Sequence, residues 1–79
     1  MGEVIKRVYD LYVITVDNGV KHLEAIKVKS EAIIAFNLIK EDSKMRAAFL
    51  DERQVFARGR EASFNIMKWR KRNVGKARR

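Results

Sequence analysis

The sequence has no cysteine and no proline, and only four glycines and one histidine among its 79 residues. Without cysteine there is no disulfide framework, no thiolate zinc site and no cysteine nucleophile, so we expect a protein of the reducing cytoplasm. No apolar run approaches the ~20 residues that cross a bilayer, so we expect no membrane partner. A chain this short makes one domain at most, with a modest core.

Residues with catalytic or metal-binding chemistry are too few to suggest an enzyme. His22 lies on a predicted strand, and no sequence pattern supplies the partner that would orient it as a general base. The adjacent acidic pairs Glu41–Asp42 and Asp51–Glu52 lack the spacing of a calcium loop, and the glycines form no phosphate-binding loop. We therefore expect a protein that is not an enzyme and that needs no metal or other cofactor.

Positive charge is abundant and unevenly distributed along the chain. The formal net charge is +8, from 18 Lys and Arg against 10 Asp and Glu. Residues 1–59 are nearly neutral, whereas residues 60–79 hold eight basic residues and one glutamate. Such a segment is typical of a protein that binds a polyanion, most commonly nucleic acid, then an anionic membrane surface, then an acidic protein. A solubilising tail without specific function is the simpler alternative.

The N-terminal part of the chain predicts a β-hairpin. β-Branched and aromatic residues dominate from Val4 to Val16, which favours a long strand. Its alternation is imperfect, which indicates a bulge near Asp10 or a partly covered second face. Asp17-Asn18-Gly19 predicts a type I′ turn, and the return strand is predicted from Val20 to about Lys29.

The period of the apolar residues then changes to that of a helix. Ser30 is its predicted N-cap, a kink or break is expected near Asp42, and the helix is expected to end by Leu50. Its apolar stripe consists of Ile34, Leu38, Met45 and Phe49, with Ala35 and Ile39 beside them.

The remaining residues predict one or two further strands. Gln54 to Ala57 is a short strand candidate, closed by a turn at Arg58-Gly59-Arg60. Residues 61–69 fit either a strand or a helix, and we favour a strand. From Arg70 onward we expect a flexible end.

Together these elements predict the α+β class: an N-terminal antiparallel hairpin, one amphipathic helix packed on the sheet, one or two further strands and a basic C-terminal tail. Residues 1–59 would form the single small domain, and residues 60–79 the basic strand or helix and tail. A homodimer or a partner on the sheet's other face would add burial to so small a core. The predicted core is Ile5, Leu11, Val13, Ile26, Val28, Ile34, Leu38, Ile39, Phe49 and Val55.

Basic residues surround the one tryptophan in Lys68-Trp69-Arg70-Lys71-Arg72, which indicates nucleic-acid binding. Lys and Arg neutralise phosphates, and tryptophan stacks on unpaired bases, which single-stranded or structured RNA offers more readily than duplex DNA. Trp69 fits equally well at the edge of the core. The candidate RNA-binding residues are Arg58, Arg60, Lys68, Trp69, Arg70, Lys71, Arg72, Lys76, Arg78 and Arg79.

The hairpin, the helix and the segment Ala47-Ala48-Phe49-Leu50-Asp51-Glu52-Arg53-Gln54-Val55 resemble the Dmd-like antitoxins of T-even phages. The matched pattern is Ala-x-Phe-aliphatic-Asp-acid-base-x-Val, and the similarity covers residues 3–58. The basic extension after Gly59 departs from that family and is closer to the TifA-type phage antagonists of the ToxIN system, which are small, basic and associated with RNA. The resemblance implies a phage-encoded counter-defence protein in the host cytoplasm that binds and inhibits a bacterial endoribonuclease toxin, with RNA as a bridge.

Three functions therefore fit the sequence. The first is an inhibitor of a ribonuclease toxin that engages RNA through its basic residues. The second is an RNA- or DNA-binding protein without sequence preference and without a toxin target. The third is a small accessory subunit whose basic tail contacts an acidic partner or a membrane surface.

Overall fold

The computed structural model describes residues 3–17 and 19–71. Its elements are β1 (Val4–Thr15), β2 (Val20–Ile26), α1 (Lys29–Ile39), β3 (Met45–Phe56) and β4 (Glu61–Arg70). The strands form one sheet in the order β2-β1-β3-β4, and each neighbouring pair is antiparallel. The predicted α+β class, with one helix packed on an antiparallel sheet, is confirmed.

β1 and β2 pair as the predicted antiparallel hairpin, but their connection is longer than the two-residue loop of a type I′ turn. Residues 16–19 separate the two strands, and the Thr15 N–H donates to the Gly19 carbonyl at 2.9 Å. The Thr15 hydroxyl also donates to the Asp17 carboxylate. Asn18, on which the turn type depends, lies outside the described residues.

The largest departure from the sequence prediction is β3. The predicted helix continues to residue 50, whereas α1 ends at Ile39 and residues 45–56 form a central strand. The chain turns at Asp42, whose N–H donates to the Ile39 carbonyl at 3.0 Å. The spacing of Met45 and Phe49 fits a helix, but the two flanking strands give β3 ladder hydrogen bonds. β3 also buries Ala47, Ala48 and Leu50. Those tertiary contacts outweigh the helical propensity of its two alanines.

The start of α1 also differs from the prediction. Its N-cap is Val28, in an extended conformation (φ −108°, ψ 121°) and without a side-chain capping bond, so Ser30 is not the cap but lies in the first turn. The first helical bond runs from the Ala32 N–H to the Val28 carbonyl at 3.0 Å. The helix begins earlier because β2 already ends at Ile26. Within the described residues, no helix is long and apolar enough to cross a membrane.

The core lies between α1 and the two central strands. Its seven buried residues are Tyr9, Leu11, Val13, Ala32, Phe36, Ala48 and Leu50. The predicted stripe is wrong at Ile34 and Leu38, which are 60% and 64% exposed, whereas Ala35 and Ile39 are partly buried against the core. α1 instead buries the face that carries Ala32 and Phe36.

The other predicted core residues divide between the two faces and the edges. Leu11 and Val13 are buried as expected, and Ile26 and Ile39 are partly buried against the core. Phe49 and Val55 are half-buried, and both lie on the face without the helix. The predictions of Ile5 and Val28 are wrong, since both side chains are exposed.

β3 and β4 are joined by the predicted glycine turn. Gly59 adopts φ +87°, in the left-handed region that favours glycine, and its N–H donates to the Phe56 carbonyl at 2.9 Å. The Phe56 N–H donates in turn to the Arg60 carbonyl at 2.8 Å. β4 then runs from Glu61 to Arg70, so the strand interpretation of residues 61–69 is confirmed.

Two leucines test the position of the core. Leu50 on β3 is 0% exposed, whereas Leu38 on α1 is 64% exposed. We expect Leu50→Ala to lower the free energy of unfolding by about 2–5 kcal/mol, because it removes buried methyl groups and leaves a cavity. The same change at Leu38 should cost less than about 1 kcal/mol, because alanine favours the helix and little burial is lost. Urea denaturation followed by circular dichroism measures both, and equal losses would contradict this core.

Candidate nucleic-acid interface

None of the described elements packs on the sheet face opposite α1, which we call the helix-free face. Side chains that are paired across neighbouring strands point to the same face of a sheet. Since Leu11 and Val13 face α1, the helix-free face carries the alternate residues of β1, namely Val8, Asp10, Tyr12 and Ile14. Each of these is paired with a residue of β3, and Asp10, Tyr12 and Ile14 are also paired with residues of β2.

Four side chains form a row across this face, one from each strand. The register pairs His22 with Tyr12, Tyr12 with Phe49, and Phe49 with Lys68. The Tyr12 and His22 rings lie 4.9 Å apart between centroids and are tilted by 51°. With strands ~4.8 Å apart, this aromatic row spans roughly 14 Å. Arg70 lies in the next row, opposite Ala47.

A β-bulge in β2 places His22 in the aromatic row. The register between β1 and β2 shifts by one residue after Leu11, so that Leu23 has no direct partner. In a regular ladder Leu23 would stand opposite Tyr12. Because the extra residue shifts the alternation, His22 takes that position instead.

A second bulge does the same in β4. The register between β3 and β4 shifts between Leu50 and Asp51, and Ile66 is the extra residue. A regular ladder would set Met67 opposite Phe49. The bulge leaves Met67 among the residues packed against the core and brings Lys68 to Phe49. Both bulges thus replace an apolar side chain with a polar one beside the aromatic pair.

The side-chain amide of Asn65 holds the second bulge together. Its Nδ2 donates to the backbone carbonyls of Met67 at 2.9 Å and Leu50 at 3.3 Å. The same nitrogen donates to Asp51 Oδ1 at 3.0 Å. Because the amide group has two hydrogens, the longest of the three contacts, to Leu50, shares one of them. The amide therefore satisfies carbonyls that the irregular ladder leaves without a regular partner, and it also fixes the Asp51 carboxylate on the helix-free face.

Next to the aromatic row on the helix-free face, the buried carboxylate of Asp10 is the centre of an ion network. Asp10 is only 5% exposed. Its Oδ2 accepts from Arg53 Nε at 3.0 Å, and its Oδ1 lies 3.3 Å from Arg53 Nη2 and 3.1 Å from His22 Nε2. Arg53 Nη1 also lies 3.7 Å from Glu61 Oε2. The network ties β1 to both flanking strands, and through Glu61 to β4.

The pKa of Asp10 lies below its ordinary value of 3.8. Burial alone would raise it, but the hydrogen bonds and positive charges of Arg53 and His22 outweigh the burial. The carboxylate is therefore ionised at neutral pH, and Arg53 compensates its charge.

An open depression of about 520 Å³ lies beside the aromatic row and is lined by Tyr12, Phe49, Asp51, Asn65 and Lys68. Its walls combine two aromatic rings with a carboxylate, an amide and an ammonium group. Such a lining fits a planar heterocycle, which would stack on the rings and exchange hydrogen bonds along its edge.

The predicted basic cluster is divided between the two faces of β4. Lys68 and Arg70 lie on the helix-free face, beside the aromatic row. Trp69 lies on the opposite face, paired with the buried Ala48 and packed against the core. Of its two predicted roles, the position of Trp69 fits the edge of the core, where its side chain is partly buried. Lys71 follows the strand, exposed, with its N–H bonded to the Arg46 carbonyl at 2.8 Å.

The other predicted cations are not brought to this site. Arg58 and Arg60 are exposed on the β3–β4 turn, at the far end of the hairpin. At ~3.3 Å per residue, Arg60 stands roughly 26 Å along the strand from Lys68. The remaining predicted residues, Arg72, Lys76, Arg78 and Arg79, lie outside the described residues.

Sequence reasoning missed the residues at the centre of this site. Tyr12 was visible as part of a strand, but Phe49 was assigned to a helix, so the two rings were not placed together. The bulge in β4 left one signal, the adjacent apolar residues Ile66 and Met67, which break the alternation of a strand. Asp51 and Asn65 gave no signal, because only the paired register brings them together.

His22 has a carboxylate partner that no sequence pattern indicates. Asp10 lies in hydrogen-bond reach of its Nε2, but the same carboxylate accepts from Arg53. The arrangement is that of an ion network that binds strands together. Over residues 3–17 and 19–71, no three His, Asp or Glu side chains come together as a metal site requires.

No protein-family model, curated protein or solved structure matches this chain. The geometry of the helix-free face is therefore the main basis for a functional proposal. The resemblance to phage antitoxins adds to it only through the residues quoted above.

The pKa of Asp10 makes the stability of the chain depend on pH. Because this pKa is lowered on folding, the Asp10 network stabilises the fold above pH ~4, and that contribution is lost as pH falls through the folded-state pKa. At neutral pH we expect Asp10→Asn to reduce the free energy of unfolding by about 1–3 kcal/mol, because Arg53 and His22 lose a charged acceptor.

Urea denaturation of both proteins between about pH 2 and 7 measures this dependence. The difference between the native chain and Asp10→Asn should shrink toward the acid end. Glu24→Gln, which removes an exposed carboxylate from β2, is the matched control and should show no such trend. A difference that is constant with pH would contradict the assigned role of Asp10.

Proposed function

We propose that the chain binds single-stranded RNA on its helix-free face and acts by binding rather than by catalysis. The observation that supports this most strongly is the aromatic row, in which Tyr12 and Phe49 stand side by side with Lys68 next to them and Arg70 one row away. Aromatic rings on an open sheet face, flanked by cations, are the arrangement with which several RNA-binding domains hold unpaired bases.

The energetics of such a surface favour unpaired bases. Stacking of a base on an aromatic side chain contributes about 1–3 kcal/mol and does not depend strongly on base identity. Tyr12 and Phe49 are half-buried and line the depression. A base within a duplex is already stacked and paired, so it has no free face to offer these rings. Single-stranded or looped RNA is therefore a better partner than duplex DNA.

Electrostatic attraction would place the phosphates of the RNA at the end of the sheet that carries Lys68 and Arg70. Their side chains neutralise phosphates and release counterions. The basic sequence continues directly after Lys71. The Asp10 carboxylate, which would repel phosphate, is compensated by Arg53 at 3.0 Å. A strand of RNA would thus lie with its bases on the rings and its phosphates toward the end of β4.

We further propose that the RNA-binding face serves to inhibit a bacterial endoribonuclease toxin, with RNA bridging the two proteins. The resemblance to phage antitoxins supports this. Its quoted pattern contains five residues at alternate positions of β3, and all five share the helix-free face: Ala47, Phe49, Asp51, Arg53 and Val55. Five of the seven fixed positions of the pattern thus lie on the face that we propose to bind RNA, and the other two, Leu50 and Glu52, lie on the opposite face. An RNA-binding protein without a toxin target is the alternative.

The position of the cations tests the proposed RNA surface. The double variant Lys68→Gln, Arg70→Gln should weaken binding of a single-stranded oligonucleotide, because two phosphate contacts are lost. It should also lower the slope of log affinity against log salt by about 1.4, at ~0.7 for each contact. Fluorescence anisotropy over a range of salt concentrations measures both quantities.

The matched control is Arg58→Gln, Arg60→Gln, which removes the same charge from the β3–β4 turn. We expect this variant to bind nearly as the native chain does. Equal losses in the two double variants would indicate attraction by net charge alone and would contradict a site on the helix-free face.

Inhibition of a toxin is tested separately from RNA binding. Co-expression of the chain with a bacterial endoribonuclease toxin of the ToxIN type should restore growth, and the toxin should co-purify with the chain in a manner that RNase treatment abolishes. Lys68→Gln, Arg70→Gln should restore growth less well. RNA binding without any rescue would support the alternative of an RNA-binding protein with no toxin target.

A further inference from the structure

We infer that the depression beside the aromatic row is a guanine-selective subsite, in which Asp51 reads the base edge and Lys68 reads its carbonyl. This inference rests on the proposed binding of single-stranded RNA. It goes beyond that proposal because stacking and phosphate contacts alone do not distinguish one base from another.

The carboxylate of Asp51 is the unusual group on this surface. Its Oδ1 accepts one hydrogen bond, from Asn65 Nδ2 at 3.0 Å. Among the described residues it has no ion-pair partner, in contrast to Asp10, which has Arg53. A carboxylate has about four lone-pair positions, so Asp51 keeps most of its acceptor capacity for a ligand in the depression.

The position of Asp51 is fixed rather than adaptable. It stands on a central strand, and Asn65, which holds it, is itself anchored by the Met67 and Leu50 carbonyls at 2.9 and 3.3 Å. Phe49 is two residues away on the same face of β3, and Lys68 is paired with Phe49. An acceptor, a stacking ring and a donor therefore border one depression.

Guanine is the base whose edge matches this set. Its N1–H and N2 amino group are adjacent donors, which a carboxylate can accept together through its two oxygens. Its O6 lies next to N1 and accepts from an ammonium group, as it does in guanine–lysine contacts elsewhere. Stacked beside Phe49, guanine would present both donors to Asp51 and its O6 to Lys68.

The other three bases offer less to a carboxylate. Adenine and cytosine each present one exocyclic amino group next to a ring acceptor, and uracil presents one N–H between two carbonyls. A base acceptor directed at Asp51 would be repelled, and a single donor would leave one carboxylate oxygen facing the base without a partner. Guanine alone pairs both oxygens, so the difference between bases arises from hydrogen bonding and not from stacking.

The test uses nine-residue oligonucleotides of uridine that carry guanosine, adenosine, cytidine, uridine or inosine at the centre. A single guanosine avoids association between strands. We expect guanosine to bind about five- to a hundredfold more tightly than uridine, the range of one bidentate base contact. Inosine keeps N1–H and O6 but lacks the N2 amino group, so it should bind less tightly than guanosine by at least about threefold. Fluorescence anisotropy at one fixed salt concentration gives the affinities.

Asp51→Asn tests the residue directly. We expect it to bring the affinities for the guanosine and uridine oligonucleotides to within about twofold of each other, because the bidentate contact to the guanine edge is lost. Glu24→Gln, an exposed carboxylate on the edge strand β2, is the control and should keep the guanosine preference. The inosine comparison uses the native chain, so it tests recognition of the N2 amino group even if Asp51→Asn does not fold.

Each outcome separates the two proposals. Tight but equal binding of all five oligonucleotides would overturn the guanine subsite and leave the RNA surface standing. Failure of every oligonucleotide to bind would overturn both. A guanosine preference that survives in Asp51→Asn would overturn the assigned role of Asp51.

Discussion

α1, with eleven residues, covers one face of the sheet. None of the described elements covers the opposite face of the two central strands. Yet Val8 and Asp10, both on that helix-free face, are only 6% and 5% exposed. The face is closed locally by its own side chains: Arg53 stands opposite Val8 and reaches Asp10 at 3.0 Å. The ion network thus shields part of this face from solvent, as a second helix would, and it leaves the neighbouring aromatic row uncovered. The uncovered surface therefore begins at the aromatic row, where the ion network ends.

Local sequence patterns predict those elements whose structure depends little on other parts of the chain. β1 was recognised from its β-branched residues, and the turn at Gly59 from glycine between two polar residues. β3 could not be recognised in the same way. As a central strand it has apolar residues on both faces, so its alternation is blurred, and two alanines beside Phe49 fit a helix equally well. The burial of Ile34 and Leu38 is predicted wrongly for the same reason. The predicted helical stripe joins them to Met45 and Phe49, which belong to β3, whereas the side chains of Ile34 and Leu38 are exposed.

The site was harder to predict than the fold, because it depends on two bulges. Strict alternation would have set Leu23 and Met67 beside the aromatic pair and made this surface an apolar strip. The extra residues in β2 and β4 reverse the alternation on one side of each bulge and bring His22 and Lys68 to the rings instead. A sequence pattern read with period two therefore assigns these residues to the wrong face. Only the paired register of all four strands corrects the assignment, and no single segment contains that information.

Whether the proposed RNA surface would bind selectively or non-selectively depends on Asp51. Asp51 has no ion-pair partner among residues 3–17 and 19–71. Such a carboxylate next to phosphates weakens any binding that depends on charge alone, so it would be a poor component of a purely electrostatic RNA surface. It becomes favourable only if the ligand offers donors in place of the water that it displaces. Asn65 does not neutralise it but holds it in place, at 3.0 Å. A surface that needed only to attract RNA would gain by replacing Asp51 with a neutral residue, whereas a surface that reads base edges needs a fixed acceptor at this position. The combination of Phe49, Asp51 and Lys68 therefore favours the proposed base recognition over attraction of the RNA backbone alone.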